Sequence, residues 1–72
     1  MTRTEWEHHN VALWMNNDLG YWSLAQECLR MTGNLKKATD MFRAEVGYST
    51  PDGAKFTKRA IRAALRDLRG PM

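Results

Sequence analysis

The chain holds a single cysteine among its 72 residues. Cys28 therefore has no partner for an internal disulfide, and without a second cysteine no zinc-ligand spacing exists. A lone thiol beside Ala25 and Leu29 reads as buried and inert, in a reducing compartment. Only two histidines are present, and as neighbours His8 and His9 point to different sides of a helix. With Glu5 one turn from His9, they amount to an ordinary solvated face rather than a metal site. No long apolar run is present, so no membrane-spanning segment is expected. The start of the chain turns acidic at once and has no secretory-leader pattern, so the expected location is the cytoplasm. The five glycines, Gly20, Gly33, Gly47, Gly53 and Gly70, stand singly as breakers and form no phosphate loop. No Ser-His-Asp, Cys-His or paired-carboxylate arrangement occurs. The acids Glu5, Glu7, Glu27, Asp40 and Glu45 are spread over three helices without evident convergence. The reading is of a non-enzymatic protein without a cofactor.

What the chain does have is helical periodicity in one modest domain, 1–72. The pattern predicts an all-α bundle of four short helices with one turn-rich loop before the last. Helix 1 is expected from about Glu5 to Asn16, with Thr4/Glu7 or Thr2/Glu5 as a capping box. Helix 2 runs from about Leu19 to Met31 behind Asn17 or Asp18. Its wide apolar face makes it the expected centre of the fold. Gly33 ends it and Asn34 caps helix 3, from about Leu35 to Val46. Thr50-Pro51-Asp52-Gly53 is a strong turn signal. Thr50 could cap a helix beginning at Pro51, but Phe56 lies off the stripe of the next helix. With Thr57 as cap, Phe56 and Ile61 have the spacing of a hydrophobic staple. Helix 4 then runs from Lys58 to Arg69, stopped by Gly70-Pro71.

Charge is unevenly spread. Residues 1–54 carry five basic and seven acidic side chains; residues 55–72 carry six basic and one acidic. On helix 4, Lys58, Arg59, Arg62, Arg66 and Arg69 fall within an arc of about 100° beside the apolar stripe of Ile61, Ala64, Leu65 and Leu68. Arginine's planar donors suit carboxylate or phosphate. An acidic protein surface or nucleic acid is therefore the expected partner of this stripe, against the plainer reading of a soluble face. Glu45, inside the apolar stripe of helix 3, is a candidate partner for one of these arginines. Three tryptophans are many for so small a core. Val11, Trp14 and Met15 are a candidate exposed apolar interface, for another protein or for a homodimer; otherwise the chain is a monomer.

Two resemblances go with these residues. The run Cys28-Leu29-Arg30-Met31-Thr32-Gly33-Asn34-Leu35-Lys36-Lys37-Ala38 resembles the start of an inversion-stimulation-factor-type helix-turn-helix. That implies Arg59, Arg62 and Arg66 as DNA contacts, with Lys58 and Arg69 on phosphates. The sequence departs from that family in leaving about ten residues between Val46 and Thr57, where the family has a tight turn. The chain as a whole is similar to small proteins encoded by tailed bacteriophages, in segments such as Asn10-Val11-Ala12-Leu13-Trp14-Met15-Asn16-Asn17-Asp18 beside Thr50-Pro51-Asp52-Gly53. This implies a protein that binds and modulates a host protein in the host cytoplasm.

Overall fold

Capping chemistry sets each helix start. The Thr2 hydroxyl accepts from the Glu5 amide at 3.1 Å, and the Glu5 carboxylate accepts from the Thr2 amide at 3.3 Å. This closed capping box starts α1, Arg3–Asn17. Of the two boxes open in the sequence the earlier one forms, so α1 begins ahead of the expected Glu5. Asp18 ends α1 and caps α2, Leu19–Thr32, by accepting from the Tyr21 amide at 3.1 Å. Gly33 closes α2 with φ 60°, a left-handed position that costs glycine nothing. Asn34 caps α3, Leu35–Glu45, through the Lys37 amide at 3.0 Å. Thr57 caps α4, Lys58–Arg69, through the Ala60 amide at 3.1 Å. The start of the last helix at Thr57 rather than Thr50 is borne out, and Phe56 and Ile61 are both buried in the core. The computed structural model describes residues 1–70, and the expected stop at Pro71 lies outside them.

Among the described residues the fold is a small all-α bundle. Each helix packs on the next, and α4 closes the ring against α1. The Cα radius of gyration is 11.0 Å, matching the roughly 11 Å of a folded chain this long. α4 supplies Ala60, Ile61, Ala64 and Leu65 to the core; α2 fully buries only Ala25 and Cys28. The expectation that helix 2 is the centre is therefore corrected. Tyr21, Leu24 and Leu29 are only partly buried against the core, and Leu19 and Trp22 stay 76% and 41% exposed.

Between α3 and α4 the chain makes a tight hairpin. The Thr50 amide donates to the Ala54 carbonyl and the Gly53 amide to the Thr50 carbonyl, both at 2.8 Å. Ser49 and Lys55 pair across it, and the Phe56 amide donates to the Tyr48 carbonyl at 3.1 Å. Gly53 has φ 92°, as the turn signal required.

The hairpin lies down on α1 and is fastened there by polar groups. The buried Thr50 hydroxyl donates to Asn10 Oδ1 at 2.7 Å and accepts from the Ala54 amide at 3.1 Å. Asp52 Oδ2 accepts from both Asn10 Nδ2 and Trp14 Nε1 at 2.9 Å. Glu7 Oε2 accepts from the Lys55 amide at 3.3 Å. Aromatic rings continue the join inward. Trp14 meets Tyr21 edge-on at 6.5 Å, Tyr21 meets Phe56 at 5.5 Å, and Phe56 meets Phe42 at 6.1 Å.

This packing corrects the candidate interface of Val11, Trp14 and Met15. Val11 and Met15 have no exposed surface, and Trp14 is half-buried with its indole N–H bonded to Asp52. The second apolar side of α1 is covered from within, by the hairpin and α4, so a homodimer or partner seated on those residues has nothing to meet.

Candidate functional site

The basic stripe is laid out by the packing of α4. Ile61, Ala64 and Leu65 turn inward, and the helical period then carries Lys58, Arg59, Arg62, Arg66 and Arg69 to the surface, where all five are exposed. The helix is thus amphipathic in the strict sense: one face anchors it, and the other is held out by that anchoring.

α3 packs beside it. Lys58 Nζ lies 3.4 Å from Asp40 Oδ1, and Lys36 and Arg66 line the same groove. The groove between them encloses about 410 Å³, and its walls include Lys36, Thr39, Asp40, Arg59, Arg62 and Arg66. The Lys58–Asp40 pair is exposed on both sides and so worth little, at most about 1 kcal/mol. Among the described residues no carboxylate pairs with Arg59, Arg62, Arg66 or Arg69. Glu45, expected to meet an α4 arginine, does not. It is the exposed last residue of α3, and the α4 cation nearest that end, Lys58, is held by Asp40.

Sequence reasoning found the α4 half of the groove and missed the α3 half. Lys36 and Asp40 stand one turn apart, with Thr39 beside them, and the spacing was readable. What was absent was the knowledge that α3 and α4 pack with those faces adjoining. The groove has cations on both walls, a carboxylate at one end and the methyl of Ala63 in its lining. It can bind anionic groups along its length.

Other chemistry is sparse. Among the described residues no group of three or more His, Cys, Asp or Glu side chains converges to hold a metal ion, and no helix is long and apolar enough to cross a membrane. The Cys28 thiol is buried, and burial, then the charges of Glu27 and Glu45, push its pKa up. It is held as the unreactive thiol. Asp52 is pulled below the usual carboxylate range by the Asn10 and Trp14 hydrogen bonds. Both groups serve the fold.

Compared with protein-family models, with curated proteins and with solved structures, the chain matches none. What can be said of its role rests on its own surface.

Proposed function

We propose that this is a small non-enzymatic interaction protein, and that the groove between α3 and α4 takes an acidic segment of another protein. The observation that carries the reading is the set Arg59, Arg62 and Arg66, exposed along one groove and, among the described residues, ion-paired with no carboxylate, Asp40 on the α3 side being paired with Lys58. Arginines at i, i+3 and i+7 on one helix have their backbone positions spaced in advance, so the ordering that binding requires is confined to the side chains. The similarity to small tailed-bacteriophage proteins supports taking that partner from the host cell, whose protein this one would modulate.

Nucleic acid is the second reading, favoured by the exposure of all five cations on α4. Against it, the hairpin between α3 and α4 separates elements that a helix-turn-helix joins by a tight turn.

The two readings are separated by binding of a fluorescent oligo-glutamate peptide and a labelled DNA duplex to wild type and to Arg62→Glu/Arg66→Glu. The expected result is peptide binding that weakens roughly tenfold or more in the variant, since two exposed pairs are lost and two repulsions gained. Tighter binding of the duplex, falling with salt by a slope near −0.9 per neutralised phosphate, would favour the second reading. No binding of either ligand refutes both.

A further inference from the structure

A second groove adjoins the first. It encloses about 400 Å³ between the end of α3 and the hairpin, with Arg43, Val46, Tyr48, Lys55 and Thr57 among its walls. The two share their supports. α3 gives Asp40 to one and Arg43, three residues on, to the other; the start of α4 gives Lys58 to one and Thr57 to the other. No side chain lines both, but these supports are neighbours along the chain, so a ligand that leaves the first groove past the Lys58–Asp40 pair meets the second, and the two are taken together as one track that ends at Tyr48.

The far end of this track differs from the near end. Tyr48 is 76% exposed, a large ring with no cover, and Lys55 Nζ sits 5.9 Å from its centroid. Arg43 Nε donates to the Phe56 carbonyl at 3.3 Å. One guanidinium donor is thus spent on fixing the side chain, and the others remain for a ligand. The hairpin that carries Tyr48 and Lys55 is itself fastened to α1 through Thr50, Asp52 and Glu7. Arg43 and the backbone that carries Tyr48 and Lys55 are thus held in place, with the exposed ring beside both cations.

We infer that the ligand of the α3–α4 groove is an acidic peptide segment with an aromatic residue just beyond its acidic run, seated on Tyr48 between Arg43 and Lys55. The inference rests on the proposal that the groove binds an acidic protein segment. Charge complementarity selects the acidic run. The change from bare arginines to an exposed ring along one track selects the aromatic residue. Lys58 to Arg66 spans about 12 Å of helix, which roughly four residues of extended peptide would cover.

The test uses three peptides: oligo-glutamate, and the same peptide with a tryptophan appended at one end or the other. Each is titrated against wild type, Tyr48→Ala, Tyr48→Phe and Arg62→Glu. One tryptophan peptide is expected to bind about 2- to 10-fold tighter than oligo-glutamate, the range for an aromatic pair. Tyr48→Ala removes that gain and leaves oligo-glutamate affinity unchanged; Tyr48→Phe keeps it; Arg62→Glu weakens all three. If oligo-glutamate binds and neither tryptophan peptide gains, or if Tyr48→Ala weakens every peptide alike, this inference is overturned while the groove proposal stands. If no peptide binds, both fall. Tighter binding of a single-stranded oligonucleotide of equal charge also overturns it.

Discussion

Replacing Thr50 by valine tests whether the hairpin is fastened by hydrogen bonds or merely rests on α1. The side chains are nearly isosteric, so packing is conserved. The hydroxyl is lost from a residue only 3% exposed, and with it both of its bonds. Asn10, 6% exposed, loses the donor to its Oδ1, and the Ala54 amide loses a side-chain acceptor. A buried polar atom left without its partner costs about 1–3 kcal/mol. Asn10 Nδ2 keeps its bond to Asp52, so about 2–3 kcal/mol in total is a reasonable sum. A chain of this length has roughly 4–11 kcal/mol of stability. Each kcal/mol moves the midpoint of a domain this size by about 4–8 °C. The expected drop is therefore on the order of 10–20 °C, read by far-UV circular dichroism. Thr50→Ser keeps the hydroxyl and loses one methyl, about 0.8 kcal/mol, and should melt only about 3–6 °C below wild type. A Thr50→Val midpoint within about 2 °C of wild type, below the shift expected for 1 kcal/mol, refutes the reasoning. So does a serine variant as unstable as the valine one.

Asp52 makes the same join sensitive to acid. Its pKa is lowered in the folded state, chiefly by Asn10 and then by Trp14. Its contribution is therefore present above the ordinary aspartate value of about 3.9 and is lost as pH falls through the lower folded value. The stability difference between wild type and Asp52→Ala should stay flat at neutral pH and shrink only below about pH 4, with Trp14 fluorescence as a local reporter; a difference independent of pH down to acid unfolding would contradict this. Cys28, buried and held protonated, should react slowly with a thiol reagent at neutral pH and completely in denaturant. Rapid labelling of the native protein would mean that α2 opens from the core.

The helices were legible because their signals are local. Thr57 with Phe56 and Ile61, Gly33 with Asn34, and the period of Ile61, Ala64 and Leu65 each specify an element from residues a few positions apart. The all-α bundle and the arginine stripe followed directly. The role of α1 was not legible, because it depends on partners far along the chain. Asn10 meets Thr50, and Trp14 and Asn10 meet Asp52, across about 40 residues. Read locally, Val11 and Met15 were a second apolar side with nothing to cover it. The turn at Thr50-Pro51-Asp52-Gly53 was read as a connection, whereas its Asp and Thr also fasten it to α1.

That difference bears on the site. A free loop at residues 47–56 would leave α4 packed on α1 and α3, but with no fixed ring or further cation beyond its start. A fastened hairpin instead fixes where α4 begins, since Phe56 is buried and Thr57 caps the helix next to it. It also sets Tyr48 and Lys55 beside Arg43. The geometry of the hairpin end of the site then depends on Asn10 and Thr50, neither of which lines it. If so, Thr50→Val should weaken oligo-glutamate binding less than it weakens the tryptophan peptide. α4 remains packed on α1 and α3 while the hairpin loosens. Equal loss for both peptides, measured well below the variant's melting point, would show that the hairpin and α4 respond as one unit and that the two grooves are not separable parts of the site.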